Sequence, residues 1–174
     1  MDEFDAWLEK MATEPLPGGV AAAALAAAMG AALVAKVTTG RRRPTAAGLV
    51  DLAHASRIRL LQLAADDEAA YRLVLDTRRL PPGDEARRRA CRQATDLPLT
   101  VAETCHRLLA ALPDPGVLAS PALAVDFEIG RRLLAAGCDA GLRAGAQNLD
   151  AWGRDVDLAG HRQRLAALRG GELT

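Results

Sequence analysis

The sequence predicts an all-α protein, a single bundle of five to six long helices that forms one domain over residues 1–174. Half of the residues are hydrophobic, mostly Ala and Leu, and only 3% are aromatic, whereas strands prefer aromatic and β-branched residues. No stretch alternates polar and apolar residues with the period of a strand. Clusters of proline and glycine divide the chain into segments of helical length.

The first predicted helix covers residues 2–13 and is amphipathic. Its apolar residues recur at spacings of three and four, which places them on one face: Phe4, Trp7, Leu8 and Met11. The second helix runs from about Gly18 to Thr39 and is the centre of the predicted bundle. It consists of strong helix formers without a charge until Lys36.

Breaks and capping residues define the remaining helices. We predict a third helix over residues 45–78, which Thr45 can cap, and a fourth over 84–112. Pro98 lies inside the fourth helix and predicts a kink or a break near residues 96–97. Ser120 and Pro121 open a fifth helix that ends at about Trp152, and a last helix covers 155–168.

Composition and charge indicate which classes of partner and which cellular compartment to expect. The 22 basic and 22 acidic residues balance, so bulk charge supports neither nucleic-acid nor membrane binding. Three widely spaced cysteines suggest no disulfide framework and fit a reducing, cytoplasmic environment. The uncharged stretch 18–35 is nearly long enough to span a bilayer, but its Ala and Gly residues are weakly hydrophobic. We therefore expect a buried helix of a soluble protein.

The entry to the central helix has two interpretations. Gly18 and Gly19 leave backbone N–H groups bare at the positive end of the helix, where an anion or an electron-rich heterocycle could bind. Alternatively, small residues on every face let neighbouring helices approach closely. Spacing alone favours this second interpretation, because a proline–glycine helix start is common.

Separated segments together resemble a known enzyme family. The central helix begins with Pro-Leu-Pro-Gly-Gly at residues 15–19 and ends in Gly-Arg-Arg-Arg at 40–43. The third helix carries Asp67 with Ala70 and Tyr71, and Ala-Thr-Asp-Leu-Pro-Leu follows at 94–99. Asp126 and Asn148 complete the pattern, which covers nearly the whole chain. It resembles the cyclodeaminase/cyclohydrolase family, which includes the C-terminal domain of formiminotransferase-cyclodeaminase and bacterial methenyltetrahydrofolate cyclohydrolases.

The resemblance implies an enzyme of one-carbon folate chemistry. Its members hydrolyse 5,10-methenyltetrahydrofolate or cyclise 5-formiminotetrahydrofolate with loss of ammonia, by acid–base catalysis without a metal or a further cofactor. A homodimer with the pocket close to the subunit interface, and a small-molecule substrate, are also implied. Asp67 and Asp126 correspond to catalytic positions. The substrate-binding positions would be Pro17, Gly18, Gly19, Arg41, Arg42, Tyr71 and Asn148.

Four positions depart from the family pattern and keep two other functions open. The apolar residues Val20, Ala21, Val125 and Ala144 stand where the family has glycine or polar side chains. A repurposed member that acts on a less polar, non-folate substrate in specialised metabolism would look like this. A non-catalytic helical interaction protein is the other alternative, in which Asp67 and Asp126 would not converge on a cavity.

Each polar candidate also has a structural alternative. Asp66, Asp67 and Glu68 are adjacent and cannot share a helix face, so at least one must point to solvent. The structural alternative is that all three form a solvated acidic patch. Asp126 could cap a helix or pair with Arg131, and Asn148 could bond a neighbouring helix. The arginines at 41–43 could be a solvated helix end. The three histidines have no partners at metal-ligand spacing, so we predict no metal site.

Overall fold

The structure is a computed structural model that describes residues 2–38, 44–114 and 121–170. Across these ranges the regular secondary structure is α-helical, which confirms the predicted fold class. The helices are α1 (Glu3–Thr13), α2 (Gly19–Thr38), α3 (Pro44–Thr77), α4 (Glu85–Ala110), α5 (Pro121–Trp152) and α6 (Ala159–Gly170).

Four of these helices, α2 to α5, form a bundle. Helix α2 packs along both α3 and α5, and α4 packs along the same two helices from the opposite side. Side chains from all four helices meet in the core, among them Val34, Leu60, Leu108 and Leu134, each fully buried. The short helix α6 lies against α4 and α5. From α2 to α6, consecutive helices are thus neighbours in space, as short connections between antiparallel helices require.

Glycines permit the closest helix contacts. A Cβ atom added to Gly30 of α2 would lie 2.7 Å from the backbone oxygen of Gly130 in α5. At Gly141 of α5 it would lie 2.5 Å from the backbone oxygen of Pro98 in α4. Since real Cβ contacts are longer, any side chain at these positions would force the helices apart. Helix α5 is therefore held close to both α2 and α4.

Several predicted boundaries need correction. Of the predicted kink or break at Pro98, the break does not occur: helix α4 continues through Pro98, since packing on α3 and α5 supports it on both sides. Helix α3 begins at Pro44, one residue before the predicted cap. Helix α6 begins at Ala159 because residues 152–156 form a turn and the Asp157 carboxylate then accepts a hydrogen bond from the Ala159 N–H at 3.1 Å.

Helices α1 and α2 differ in how their apolar residues are covered. No residue of α1 is buried, although Phe4 and Trp7 stack with centroids 6.3 Å apart. Lys10 links α1 to α3 through a 2.9 Å ion pair with Glu68. Helix α2 is long and apolar enough to cross a membrane by composition, yet half of it is buried inside the bundle. That burial is typical of a core helix.

Candidate active site

A cavity of about 510 Å³ opens at the end of the bundle where α2 begins. The start of α2 meets the C-terminal part of α3, the first half of α4 and the second half of α5 there. Its volume falls in the range of about 300–1,000 Å³ that is usual for small-molecule sites. The lining consists of Pro15, Leu16, Gly18, Gly19, Val20, Asp67, Tyr71, Ala94, Ala140, Arg143, Ala144, Gln147 and Asn148.

Asp67 is the acidic side chain of this lining. Burial raises the pKa of its carboxyl group above the ordinary value, and a hydrogen bond from the backbone N–H of Ala21 offsets this only in part. The two effects oppose each other because burial disfavours the charged form, whereas the N–H stabilises it. A carboxyl group whose pKa is shifted toward neutrality suits an acid or a base at physiological pH.

The glycine entry brings Asp67 to the start of α2. The Gly18 carbonyl accepts the first helical hydrogen bond, from Ala22 at 3.2 Å, so Gly18 occupies the N-cap position. Glycine has no capping side chain, and Asp67 bonds the third N–H of the helix instead. A Cβ atom on Gly18 would lie 3.9 Å from Asp67 Oδ2, in ordinary contact. The carboxylate therefore lies beside the exposed backbone of the glycine pair.

The neighbours of Asp67 point elsewhere, as their adjacency predicts. Asp66 accepts a hydrogen bond from the Gln62 amide at 2.9 Å. Glu68 pairs with Lys10 and with Arg72, and these partners lower the pKa of its carboxyl group. Of the three acidic side chains, Asp67 alone lines the cavity among the described residues. The prediction that singled it out agrees with this placement.

Tyr71 and Asn148 complete the group of sequence-predicted residues in this cavity. Tyr71 lies one helical turn after Asp67 and is 42% exposed, which places it at the rim. Asn148 reaches the wall from α5, and its Nδ2 atom donates a 2.8 Å hydrogen bond to the Ala94 carbonyl of α4. An interhelical bond was the structural alternative for Asn148. The side chain both makes that bond and lines the cavity.

Other predicted residues do not meet there within one copy of the chain. Asp126 pairs with Lys36 at 2.7 Å instead of Arg131. Lys36 is about 25 Å along α2 from the cavity end, at 1.5 Å per residue. The expectation that both carboxylates share a cavity is therefore wrong for a single copy, since Asp126 lies near the opposite end of the bundle. This separation is also what the non-catalytic alternative predicted.

Three further positions have different outcomes. Pro17 is buried in the turn before α2, after a cis peptide bond, and does not contribute to the lining. Its side chain is therefore not expected to contact a ligand in this cavity. Arg41 and Arg42 lie outside the described residues, so their predicted role stays a prediction.

Sequence reasoning missed the cation of the cavity. Arg143 lies on α5 one turn before Gln147 and about two and a half turns before Trp152 at the helix end. Both Arg143 and Gln147 line the wall. Arg143 also pairs with Asp139 at 2.7 Å on the exposed surface. Its spacing of four residues from Gln147 could have indicated a shared helix face. Of the four departures from the family pattern, Val20 and Ala144 line the cavity.

No group of three or more His, Cys, Asp or Glu side chains suited to a metal ion occurs in the part of the chain that the structure describes.

Comparison with known proteins identifies relatives over almost the whole chain. Residues 3–160 match the family model described as formiminotransferase-cyclodeaminase. The formimidoyltransferase-cyclodeaminase of Sus scrofa is 33% identical over 87% of this chain, and that of Mus musculus is 34% identical over 70%. The chain spans 31% and 25% of these two relatives, respectively.

A solved structure supports the fold independently. The crystal structure of formiminotetrahydrofolate cyclodeaminase from Thermotoga maritima superposes with a TM-score of 0.76 at 21% sequence identity. The match covers 99% of this chain and 88% of that one. Together with the family model and the curated relatives, it leads to one conclusion: this chain belongs to the formiminotransferase-cyclodeaminase family.

Proposed function

We propose that the protein is an enzyme of one-carbon folate chemistry that closes or opens the ring bridging N5 and N10 of tetrahydrofolate. The observation that carries the proposal is the placement of Asp67, with its raised pKa, beside the bare backbone of Gly18 and Gly19 in a ligand-sized cavity. The names of the relatives supply the substrate class. The tetrahydrofolate derivative is the substrate, and no cofactor takes part in the proposed reaction.

Asp67 can move the proton that the cyclodeaminase reaction requires. N10 attacks the protonated formimino carbon on N5, which forms the N10–C bond and leaves a proton on N10. Asp67 accepts this proton and returns it to the exocyclic nitrogen. The C–N bond to that nitrogen then breaks, ammonia leaves, and the methenyl cation remains. The group must be ionised in one step and neutral in the next, which a pKa raised by burial favours.

The hydrolytic reaction uses the same carboxylate. Asp67 as a base removes a proton from water as its oxygen adds to the methenyl carbon. It then returns this proton to the departing ring nitrogen as the C–N bond of the adduct breaks, and the hydroxyl group of the adduct loses its proton to solvent as the formyl carbonyl forms. Turnover of 5-formiminotetrahydrofolate and 5,10-methenyltetrahydrofolate by the purified chain, followed by absorbance, separates the two reactions. The proposal would be contradicted, and the non-folate alternative favoured, if neither substrate were consumed faster than without enzyme and calorimetry detected no binding of reduced folates.

Arg143 is proposed to bind the glutamate carboxylates of the substrate. It is the cation that lines the cavity within the described ranges, and its partner Asp139 is exposed, so water screens their attraction. A guanidinium can exchange such a partner for a ligand carboxylate through paired hydrogen bonds. Arg41 and Arg42, which the family resemblance predicts as substrate-binding residues, stay candidates for the same role.

Replacing Arg143 with Ala is expected to raise KM for the folate about ten- to a hundredfold and to leave kcat within about twofold, since a charge-assisted hydrogen bond contributes roughly 1.5–3 kcal/mol. Steady-state kinetics with the folate and with the corresponding tetrahydropteroate, which lacks glutamate, measures this. The tetrahydropteroate should show the same KM with both proteins. Arg88→Ala, which removes an exposed partner of Glu85 on α4, is the matched control. An equal rise in KM for both substrates would refute the role of Arg143.

We also propose that the chain forms a two-fold dimer through the outer face of α2. Met29 is 48% exposed there, and Val125 and Ile129 of the adjacent α5 are 60% and 45% exposed. Exposed apolar patches of this kind mark association surfaces. We propose that a second copy of the chain covers this one, with the same surface of each copy facing the other. Met29 lies ten residues from the start of α2 and nine from its end.

The two-fold arrangement would give Asp126 a place in the reaction. With the axis near Met29, the α2 helices of two copies run antiparallel, and the end that carries Lys36 and Asp126 lies beside the cavity end of the other copy. Asp126 of the partner subunit would then reach the cavity, oriented by its 2.7 Å ion pair with Lys36. This would reconcile the sequence prediction with the separation observed within one copy.

Mixing two inactive variants tests the dimer and the role of Asp126 together. Asp67→Asn and Asp126→Asn should each lose activity, whereas a randomly exchanged mixture should recover about a quarter of wild-type turnover, since half of the dimers are mixed and one of their two sites is intact. Light scattering of Met29→Glu/Ile129→Glu should show monomers, and Ile58→Glu, at an exposed position of α3, should not change the dimer. A fully active Asp126→Asn would exclude Asp126 from the site.

A further inference from the structure

The carbonyl of Ala94 lacks its ordinary helical partner. In an α-helix the C=O of a residue accepts from the N–H four residues later, and for Ala94 that residue is Pro98, which has no N–H. The proline ring also pushes this carbonyl out of the helical line. Ala94 is buried, and a buried carbonyl without a partner lowers stability. The helix continues through Pro98, so the missing bond must be replaced from outside α4.

Asn148 replaces that bond. Its Nδ2 donates to the Ala94 oxygen at 2.8 Å, across the contact between α5 and α4. Because a carbonyl can only accept, the NH₂ group must face Ala94, and the orientation of the amide follows. Oδ1 and the second Nδ2 hydrogen have no other partner among the hydrogen bonds of the described residues. Both Ala94 and Asn148 line the cavity.

The close approach of the two helices allows this short side chain to span the gap. Gly141 and Gly145, one turn apart on α5, face the same part of α4. A Cβ on Gly141 would meet the Pro98 oxygen at 2.5 Å, and one on Gly145 would meet Leu99 at 2.5 Å. The glycines thus bring Asn148 to the carbonyl that Pro98 leaves free.

We infer that Pro98 is a positioning residue for the cavity, which acts by freeing the Ala94 carbonyl to hold the Asn148 amide in one orientation. The amide then presents a carbonyl oxygen together with one N–H. This pair matches a ligand edge that carries a donor beside an acceptor, as the amide–amidine edge of a reduced pterin does. The identity of that ligand rests on the proposed function, whereas the coupling between Pro98 and Asn148 does not.

Kinetics of Pro98→Ala test the inference. The restored N–H at position 98 should bond Ala94 within the helix and release Asn148. We expect KM for the folate to rise about tenfold with kcat within about twofold, and thermal stability to hold or increase, since Ala suits a helix interior better than Pro. In an Asn148→Ala background, Pro98→Ala should change KM by less than twofold. An unchanged KM, or the same rise in both backgrounds, overturns the inference.

Val101→Ala is the matched control for a general disturbance of α4. Val101 is fully buried three residues after Pro98, so its truncation should lower thermal stability. Its effect on KM should be small and should be the same with and without Asn148. If Pro98→Ala does not fold, the KM of Asn148→Asp tests the inference instead. The carboxylate of this variant cannot donate a hydrogen bond to Ala94, so KM should rise. An unchanged or lower KM would overturn the inference, because it would mean that only an acceptor matters.

A measurement without ligand separates this inference from the proposed function. The side-chain amide protons of Asn148 should exchange slowly with solvent in the wild-type protein and faster in Pro98→Ala, as followed by ¹⁵N-resolved NMR. Equal exchange in both proteins would refute the coupling. If the exchange pattern is as expected but the protein does not turn over folate, only the proposed substrate is refuted and the coupling between Pro98 and Asn148 stands.

Discussion

Replacing Asp67 with Asn is expected to lower kcat by about 10²–10⁴, the usual contribution of a general acid or base. Asn has nearly the same shape and keeps an oxygen that can accept from the Ala21 N–H, so the start of α2 retains its cap. It cannot take up or release the proton. Absorbance-monitored turnover of both folates, with circular dichroism to confirm the helical fold, measures the effect.

Asp66→Asn is the control for this experiment. Asp66 is adjacent in sequence and hydrogen-bonded to Gln62 outside the cavity, so its variant should keep wild-type turnover. The reverse result, with Asp66→Asn inactive and Asp67→Asn active, would exclude Asp67 as the proton-transfer group.

The difference in melting temperature between Asp67→Asn and the wild-type protein should depend on pH. Burial raises the pKa of the Asp67 carboxyl in the folded state, so folding favours its protonated form. Its contribution to stability is thus fully present below the unfolded pKa and is lost as pH rises through the folded pKa. Asn stays neutral, so Asp67→Asn should melt above wild type at pH 7 and close to it at pH 4. A lower melting temperature at pH 7 would mean that capping by the charged group dominates.

The second large effect is expected at the contact between α4 and α5. Gly141→Ala places a Cβ atom 2.5 Å from the Pro98 oxygen and 2.9 Å from the Ala102 nitrogen, both backbone atoms that cannot rotate away. Overpacking of this kind costs about 1–3 kcal/mol, and the better helix propensity of Ala offsets only part of it. We expect the free energy of unfolding to fall by about 2 kcal/mol in urea titrations.

Gly48→Ala is a matched control with the opposite expected sign. Gly48 also lies inside a helix, α3, but an added Cβ would have no atom within 4 Å. Only the propensity difference remains, so stability should rise by about 0.5–1 kcal/mol. If both substitutions shifted stability in the same direction, the close contact at Gly141 would not be the cause of its effect.

Local chemistry made much of the fold predictable. Runs of helix formers and the breaks at proline and glycine indicated every helix, because hydrogen bonding within a helix depends on nearby residues. Local reasoning showed only that Asp67 and its acidic neighbours point to different faces, and the family resemblance then singled out Asp67. It was least accurate at helix ends and at Pro98, where packing against other helices carries α4 past the missing hydrogen bond.

The sequence by itself determined the helical class and the approximate helix limits, and its resemblance to a family pointed to Asp67, Tyr71 and Asn148 as candidates. Only the tertiary structure decided which of the predicted side chains meet. It brought Arg143 to the cavity, placed Asp126 with Lys36 near the far end of α2, and joined Asn148 to Ala94. The physical reason is that helix pairing depends on contacts between residues distant in the chain, here set by glycines that allow α5 to approach its neighbours.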